Sequence, residues 1–153
     1  MLTFKKGDIF LETVEAIVNP VNCVGVSGKG LALEFCIKFP ENFKMYKESC
    51  LIGDVIPGRM LVTFGECVKP YKFIINFPTK RHWKDLSDLE DISLGLDSLK
   101  TGLVKNEVKS IAIPALGCGC GGANWGIMKG LISSKLSDLN VNVIVLEPLD
   151  YAR

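Results

Sequence analysis

Apolar positions along this chain fall into short runs broken by glycine, proline and polar stretches, and their spacing changes from run to run. Residues 15–19 form a short apolar run that predicts a strand. Across residues 30–39, Leu31, Phe35 and Phe39 fall on one helical face, with Ala32 and Cys36 beside them. Pro40 breaks that helix, and its fixed φ suits the first turn of a second helix running through Tyr46. Residues 60–64 and 73–76 are rich in β-branched and aromatic side chains and predict strands. Ser87-Asp88-Leu89-Glu90 reads as a capping box, and Leu89, Ile92, Leu96, Leu99 and Leu103 continue at helical spacing. Residues 110–114 predict another strand, Asn124 can cap a helix running to Leu136, and the near-continuous apolar run 141–146 predicts a final buried strand. Some six strands alternating with four helices predict an α/β fold, a mostly parallel sheet covered by helices.

Size and composition fit that expectation. A chain of 153 residues suits one domain, here residues 1–153, and 48% hydrophobic with 23% charged residues is ordinary for a globular protein. The formal net charge of +1 argues against a chain built to grip a long stretch of nucleic acid, and leaves open a single modified nucleotide entering a site. No apolar run is long enough to span a bilayer, and Lys5, Lys6 and Asp8 interrupt the layout of a signal peptide, so a cytoplasmic protein is expected. In that reducing compartment Cys23, Cys36, Cys50, Cys67, Cys118 and Cys120 are expected to be free, mostly as small buried apolar residues. Cys118 and Cys120 form C-x-C and His82 is the only histidine, so neither a zinc site nor another metal or cofactor is expected.

Two glycine-rich segments carry candidate chemistry. Gly25-Val26-Ser27-Gly28-Lys29-Gly30 and Gly117-Cys118-Gly119-Cys120-Gly121-Gly122 each lie between a predicted strand and a predicted helix. Glycines let backbone N–H groups approach phosphate, and a helix N-terminus adds partial positive charge, so two such loops could clamp a diphosphate. Taken singly, each loop is equally well a flexible turn. No G-x-x-x-x-G-K-[ST] occurs, which excludes a P-loop NTPase. Gly117-x-Gly119-x-x-Gly122 matches G-x-G-x-x-G, but too little chain follows it for a dinucleotide fold. Asn19 and Asn22 could bond ribose hydroxyls without repelling phosphate, or could simply shape the turn beside Pro20. Asp8 could accept from an amino group such as that of adenine, or could be a solvated loop carboxylate.

Four segments in order, Gly7-Asp8-Ile9-Phe10, Ala16-Ile17-Val18-Asn19-Pro20-Val21-Asn22, the first glycine loop, and Ile113-Pro114-Ala115-Leu116-Gly117-Cys118-Gly119, resemble the successive signatures of macrodomains. The resemblance runs from Phe4 to about Pro148 and implies a three-layer α/β/α macrodomain with ADP-ribose in a cleft at the strand ends. It implies Asp8 and Ile9 at adenine, Glu147 and Pro148 helping to enclose it, Asn22 near the distal ribose, and both glycine loops around the diphosphate.

A second resemblance narrows the branch. Asn76-Phe77-Pro78-Thr79-Lys80-Arg81-His82-Trp83 is similar to the lysine loop of the terminal ADP-ribose protein glycohydrolases, and above all to that of the DNA-directed DarG-type antitoxins. It implies that Lys80 is the catalytic group, that Thr79, His82 and Trp83 contact substrate, and that ADP-ribose is removed from a base, thymine being the expectation. An amine in a closed cleft is a competent nucleophile toward a sugar carbon, but Lys80 could also serve only as a phosphate-binding cation, and His82 and Trp83 only as loop anchors. The protein-directed branch carries an acidic residue shortly after its Gly-Cys-Gly, where this chain has Gly121, while Trp125 still matches. The acid/base partner of Lys80 is thereby left unassigned. The expected partners are ADP-ribose, ADP-ribosylated single-stranded DNA and a cognate ADP-ribosyltransferase toxin, with the chain a monomer. The branch carries a further C-terminal domain, so the chain is expected to be part of a longer antitoxin or a stand-alone enzyme. The alternatives are a non-catalytic ADP-ribose reader, a protein-directed hydrolase, and an O-acetyl-ADP-ribose deacetylase.

Overall fold

The structure, a computed structural model, describes residues 1–148; residues 149–153, which the single-domain expectation includes, lie outside the described residues. Six strands, β1 (Leu2–Lys5), β2 (Ala16–Val21), β3 (Leu61–Phe64), β4 (Phe73–Pro78), β5 (Ser110–Ile113) and β6 (Asn142–Leu146), form one sheet in the order β1-β6-β5-β2-β4-β3. Every neighbouring pair is parallel except β3 with β4, which puts the lone antiparallel strand at an edge. Four helices complete the frame: α1 (Gly30–Lys38), α2 (Pro40–Leu51), α3 (Leu89–Lys105) and α4 (Trp125–Leu136).

Strand alternation sorts the core into two sides. Ala16 and Val18 of β2, Ile75 and Phe77 of β4, Ile111 and Ile113 of β5, and Val143 and Val145 of β6 pack with α3 and α4. The intervening Ile17, Ile74 and Ala112 face the opposite way, into a cluster with Phe35 of α1 and with Phe39, Val68 and Tyr71. Successive side chains of a strand point to opposite faces, so a sheet apolar on both faces needs a helical layer on each, and three layers result.

A polar cluster interrupts this core. Asn19 of β2 stands in register with Asn76 of β4, and its Nδ2 donates to Asn76 Oδ1 at 3.0 Å. Asn76 and Asn42 of α2 exchange two amide bonds, at 2.9 and 3.1 Å. Asn76 also donates to the Leu61 carbonyl at 3.1 Å, and the Thr63 hydroxyl donates to Asn42 Oδ1 at 2.7 Å. The four side chains are buried and tie β2, β4, β3 and α2 together.

The sequence expectations hold for the elements, with three corrections. The α3 cap is Asp88, not Ser87: its carboxylate accepts from Glu90 N at 2.8 Å and Asp91 N at 3.2 Å, while the Ser87 side chain is packed against Gly117 and Gly121. Strand β1, too short to announce itself by pattern, is held by parallel pairing to β6. The cysteines are not buried as a set: five are half-buried and Cys120 is exposed. Among the described residues, no helix is long and apolar enough to cross a membrane.

Candidate functional site

The parallel strands end together, and the segments leaving their C-terminal ends enclose a cleft of about 1430 Å³. Gly7 to Ile9 follow β1, Asn22 follows β2, Thr79 and Lys80 follow β4, Pro114 and Ala115 follow β5, and Glu147 and Pro148 follow β6. Ligands of open α/β sheets bind outside the carboxyl ends of strands, where connections diverge to opposite faces. Here β2 is flanked by β5 on one side and β4 on the other.

The first glycine loop is shaped from beneath by Asn22. Its Oδ1 accepts from Val24 N at 3.0 Å and Val26 N at 3.4 Å, and its Nδ2 donates to the Val26 carbonyl at 2.8 Å. The buried Tyr46 hydroxyl lies 2.8 Å from that Oδ1 and 2.9 Å from the Asn22 carbonyl, donating to one at a time. Burial pushes the Tyr46 hydroxyl well above the ordinary tyrosine range, so it stays a donor. The loop ends at α1, whose cap residue Lys29 supplies no side-chain bond. Gly30, Leu31 and Ala32 of its first turn line the cleft, and the N–H groups of a helix's first turn have the chemistry to receive an anion.

The second glycine loop turns through bonds from Cys118 N to the Ala115 carbonyl at 3.0 Å and from Ala123 N to the Gly117 carbonyl at 2.8 Å. Asn124 then caps α4 by accepting from Ile127 N at 3.0 Å. The two loops meet: a Cβ placed on Gly30 would lie 3.5 Å from Cys120 Sγ. Burial pushes the Cys118 and Cys23 thiols up to about 11, so both are neutral beside the cleft.

Residues 79–88 bridge the two glycine loops. At one end Thr79 N donates to the Val21 carbonyl at 2.9 Å, and Cys23 N donates to the Arg81 carbonyl at 3.0 Å. Arg81 also bonds the Asp91 carboxylate of α3 through Nε at 3.1 Å and a terminal nitrogen at 3.2 Å. At the other end Ser87 N donates to the Gly121 carbonyl at 3.0 Å. Ser87 also fills the space a side chain on Gly121 would need: a Cβ there would come within 2.9 Å of Ser87 Cβ and 2.6 Å of the Gly117 carbonyl oxygen. Between these anchors Lys80 faces the cleft, with Nζ donating to the Trp83 carbonyl at 3.0 Å.

Most residues singled out from the sequence converge here. Asp8, Ile9, Asn22, Val26, Ser27, Gly28, Lys29, Gly30, Thr79, Lys80, Trp83, Pro114, Gly117, Cys118, Gly119, Cys120, Gly121, Glu147 and Pro148 all line the cleft. One Asp8 oxygen accepts from Phe10 N at 2.9 Å, capping the turn Ile9–Leu11. Asn19, Gly25, Leu116, Gly122 and His82 are not on the lining. Asn19 is engaged in the buried amide cluster, Gly25 backs against Lys47 and Cys50, and Leu116 is fully buried in the core. Gly122 lies against Leu86, and the His82 ring stacks beside Trp83 while its Nδ1 accepts from Lys84 N at 3.1 Å. Sequence reasoning assigned no contact to Leu31, Ala32, Asn124 or Leu146, which also line the cleft. The first three open the helices that follow the glycine loops, the positions where a helix N-terminus presents itself.

The Macro domain family model matches residues 18–131. The chain is 43% identical over 152 residues to the DNA ADP-ribosyl glycohydrolase of Thermus aquaticus, covering 98% of this chain and 42% of that protein. It therefore spans less than half the length of that relative. Among solved structures it is similar to the macrodomain of Thermus aquaticus DarG, with a TM-score of 0.91 and 43% identity, covering 97% of this chain and 99% of that one. It is likewise similar to Thermosipho africanus DarTG in complex with ADP-ribose, with a TM-score of 0.90 and 32% identity, covering 97% of this chain and 42% of that one.

Proposed function

This chain belongs to the macrodomain family, and from that premise we propose that it binds ADP-ribose in the strand-end cleft and hydrolyses the bond joining it to a base of DNA, thymine above all. The observation that carries this reading is the placement of Lys80 on the wall of the same cleft that both glycine loops line. A reader of ADP-ribose needs the loops alone. An amine anchored beside them adds a nucleophile at the sugar end of the ligand.

The Lys80 amine adds to the anomeric carbon of the distal ribose as the bond from that carbon to the base nitrogen breaks. The electron pair of that bond goes to the base, which takes up the proton the amine gives away. Water then cleaves the lysine–sugar bond, releasing ADP-ribose and regenerating the amine. To reach the sugar, Lys80 exchanges its bond to the Trp83 carbonyl for contact with substrate, and a single such bond is worth only about 1 kcal/mol. The diphosphate is held between the first turn of α1 and the second glycine loop, and the oxygen of Asp8 not used in capping accepts from adenine.

The same reading takes single-stranded DNA as substrate, the cytoplasm as location, a monomer as working unit, and an ADP-ribosyltransferase as the partner whose product is reversed. Similarity to a DNA ADP-ribosyl transferase-DNA ADP-ribosyl glycohydrolase fusion protein of Thermosipho africanus, 32% identical over 164 residues, supports that kind of partner. The test is release of ADP-ribose from an oligonucleotide carrying ADP-ribosylated thymidine. Lys80→Ala is expected to slow release by roughly 100-fold or more while ADP-ribose binding persists. Unchanged turnover in Lys80→Ala refutes the lysine mechanism, and ADP-ribose binding without release from any modified DNA leaves a reader.

A further inference from the structure

Trp83 is 46% exposed although it lines the cleft, an unusual setting for so large a ring. Its neighbours are polar: the His82 ring lies 5.3 Å away, tilted 31°, and the Lys84 ammonium sits 5.1 Å from the ring centroid. Its support is firm, because residues 79–88 are bonded to the stem of the first glycine loop at one end and to Gly121 at the other. The Trp83 carbonyl accepts the Lys80 amine at 3.0 Å, so ring and amine rise from the same short stretch of backbone.

Resting on the function proposed above, we propose that Trp83 is the stacking platform for the base being released. That base is attached to the carbon that Lys80 must reach, and Trp83 is the exposed aromatic ring beside Lys80. A cation over an exposed ring is worth about 0.5–1 kcal/mol, whereas a nucleobase stacked on an aromatic side chain is worth about 1–3 kcal/mol. A base therefore displaces Lys84 from the ring. The freed ammonium then lies beside the strand, where the charge of Lys84 complements backbone phosphate. Every base has a π-face, so the platform selects a planar heteroaromatic leaving group over the aliphatic link of a modified carboxylate side chain. This gives the site a preference for nucleic acid that does not depend on an acidic residue at position 121.

The experiment compares wild type, Trp83→Ala and Trp83→Phe on an oligonucleotide carrying ADP-ribosylated thymidine, with free ADP-ribose as the reference ligand. Trp83→Ala is expected to lose about 5- to 150-fold in kcat/KM, mainly through KM, with ADP-ribose affinity unchanged and with much of the loss restored by Trp83→Phe. The same ladder is measured as equilibrium affinity for the uncleaved oligonucleotide in a Lys80→Ala background. There Trp83→Ala should erase most of the preference for the modified oligonucleotide over free ADP-ribose. Equal kcat/KM and equal preference in wild type and Trp83→Ala overturn the proposal, as does a matching loss of free ADP-ribose affinity, which would make Trp83 a structural residue. If wild type releases nothing from DNA, the hydrolase reading fails by itself, and the affinity ladder still decides the role of Trp83.

Discussion

In the first glycine-rich loop no added Cβ would come closer than 3.3 Å to a neighbour, whereas in the second two of the four glycines would be driven into protein atoms. A Cβ on Gly28 would meet only Val26 at 4.0 Å, while Gly25 alone is pressed from behind, 3.3 Å from Lys47 Cγ. In the second loop a Cβ on Gly117 would come within 2.9 Å of Ile92, one on Gly121 within 2.6 Å of the Gly117 carbonyl, and one on Gly122 within 3.3 Å of Leu86. Gly119 alone would meet nothing within 4 Å. Similar compositions thus answer different demands. In the first loop Gly25 and Gly30 hold positive φ, at +79° and +65°, and Gly28 lines the cleft with open space where a side chain would stand. The second is bare chiefly so that Leu86, Ser87 and Ile92 can approach, which seats the end of the lysine loop.

The largest effect that tests this contrast is Gly121→Ala, which forces overlap with backbone and should lower stability by about 1–3 kcal/mol in chemical denaturation. Gly119→Ala in the same loop should be nearly silent, and equal midpoints for the two variants would break the comparison. Next is Gly25→Ala. Its φ of +79 strains any other residue, and the Cβ would press on α2, so a loss of about 1–2 kcal/mol is expected, with weaker ADP-ribose binding as the Asn22-held loop shifts. Stability equal to wild type would show that this loop tolerates remodelling from behind. The smallest effect leaves stability alone and sharpens where the loops meet. Exposed Cys120 should be alkylated at pH 8 well before Cys118, whose thiol burial pushes up to about 11, and saturating ADP-ribose should slow Cys120. Mass spectrometry of modified peptides reads the order, and labelling of Cys118 first would place the ligand-facing sulfur wrongly.

The α/β architecture was legible because Ile74, Ile75, Ile111, Ile113, Val143 and Val145 form short apolar runs between helical patterns, as strands buried on both faces must. The cap at Asn124 was legible because capping is local. The cap at Asp88 was misplaced by one residue because the Ser87 side chain packs on Gly117 and Gly121, residues distant in sequence, and not on the helix start. Of the site, the residues at strand ends and glycine loops were legible from motif order. The purposes of Asn19, Gly25 and Gly122 were not, since each is set by a neighbour distant in sequence: Asn76, Lys47 and Leu86.

The buried carboxamides have a consequence for the position of Lys80. Asn19 and Asn76 meet only when β2 and β4 are in one phase, and Asn76 must at the same time meet Asn42 and the Leu61 carbonyl. A slip of one residue would set Ile75 or Phe77 opposite Asn19 and leave buried amides without partners, at about 1–3 kcal/mol each. It would also carry everything after β4 along by about 3.3 Å. Lys80 lies four residues beyond Asn76. The amides thus act as an index mark from which the chain counts to Lys80, whose place on the cleft wall is set in the buried interior.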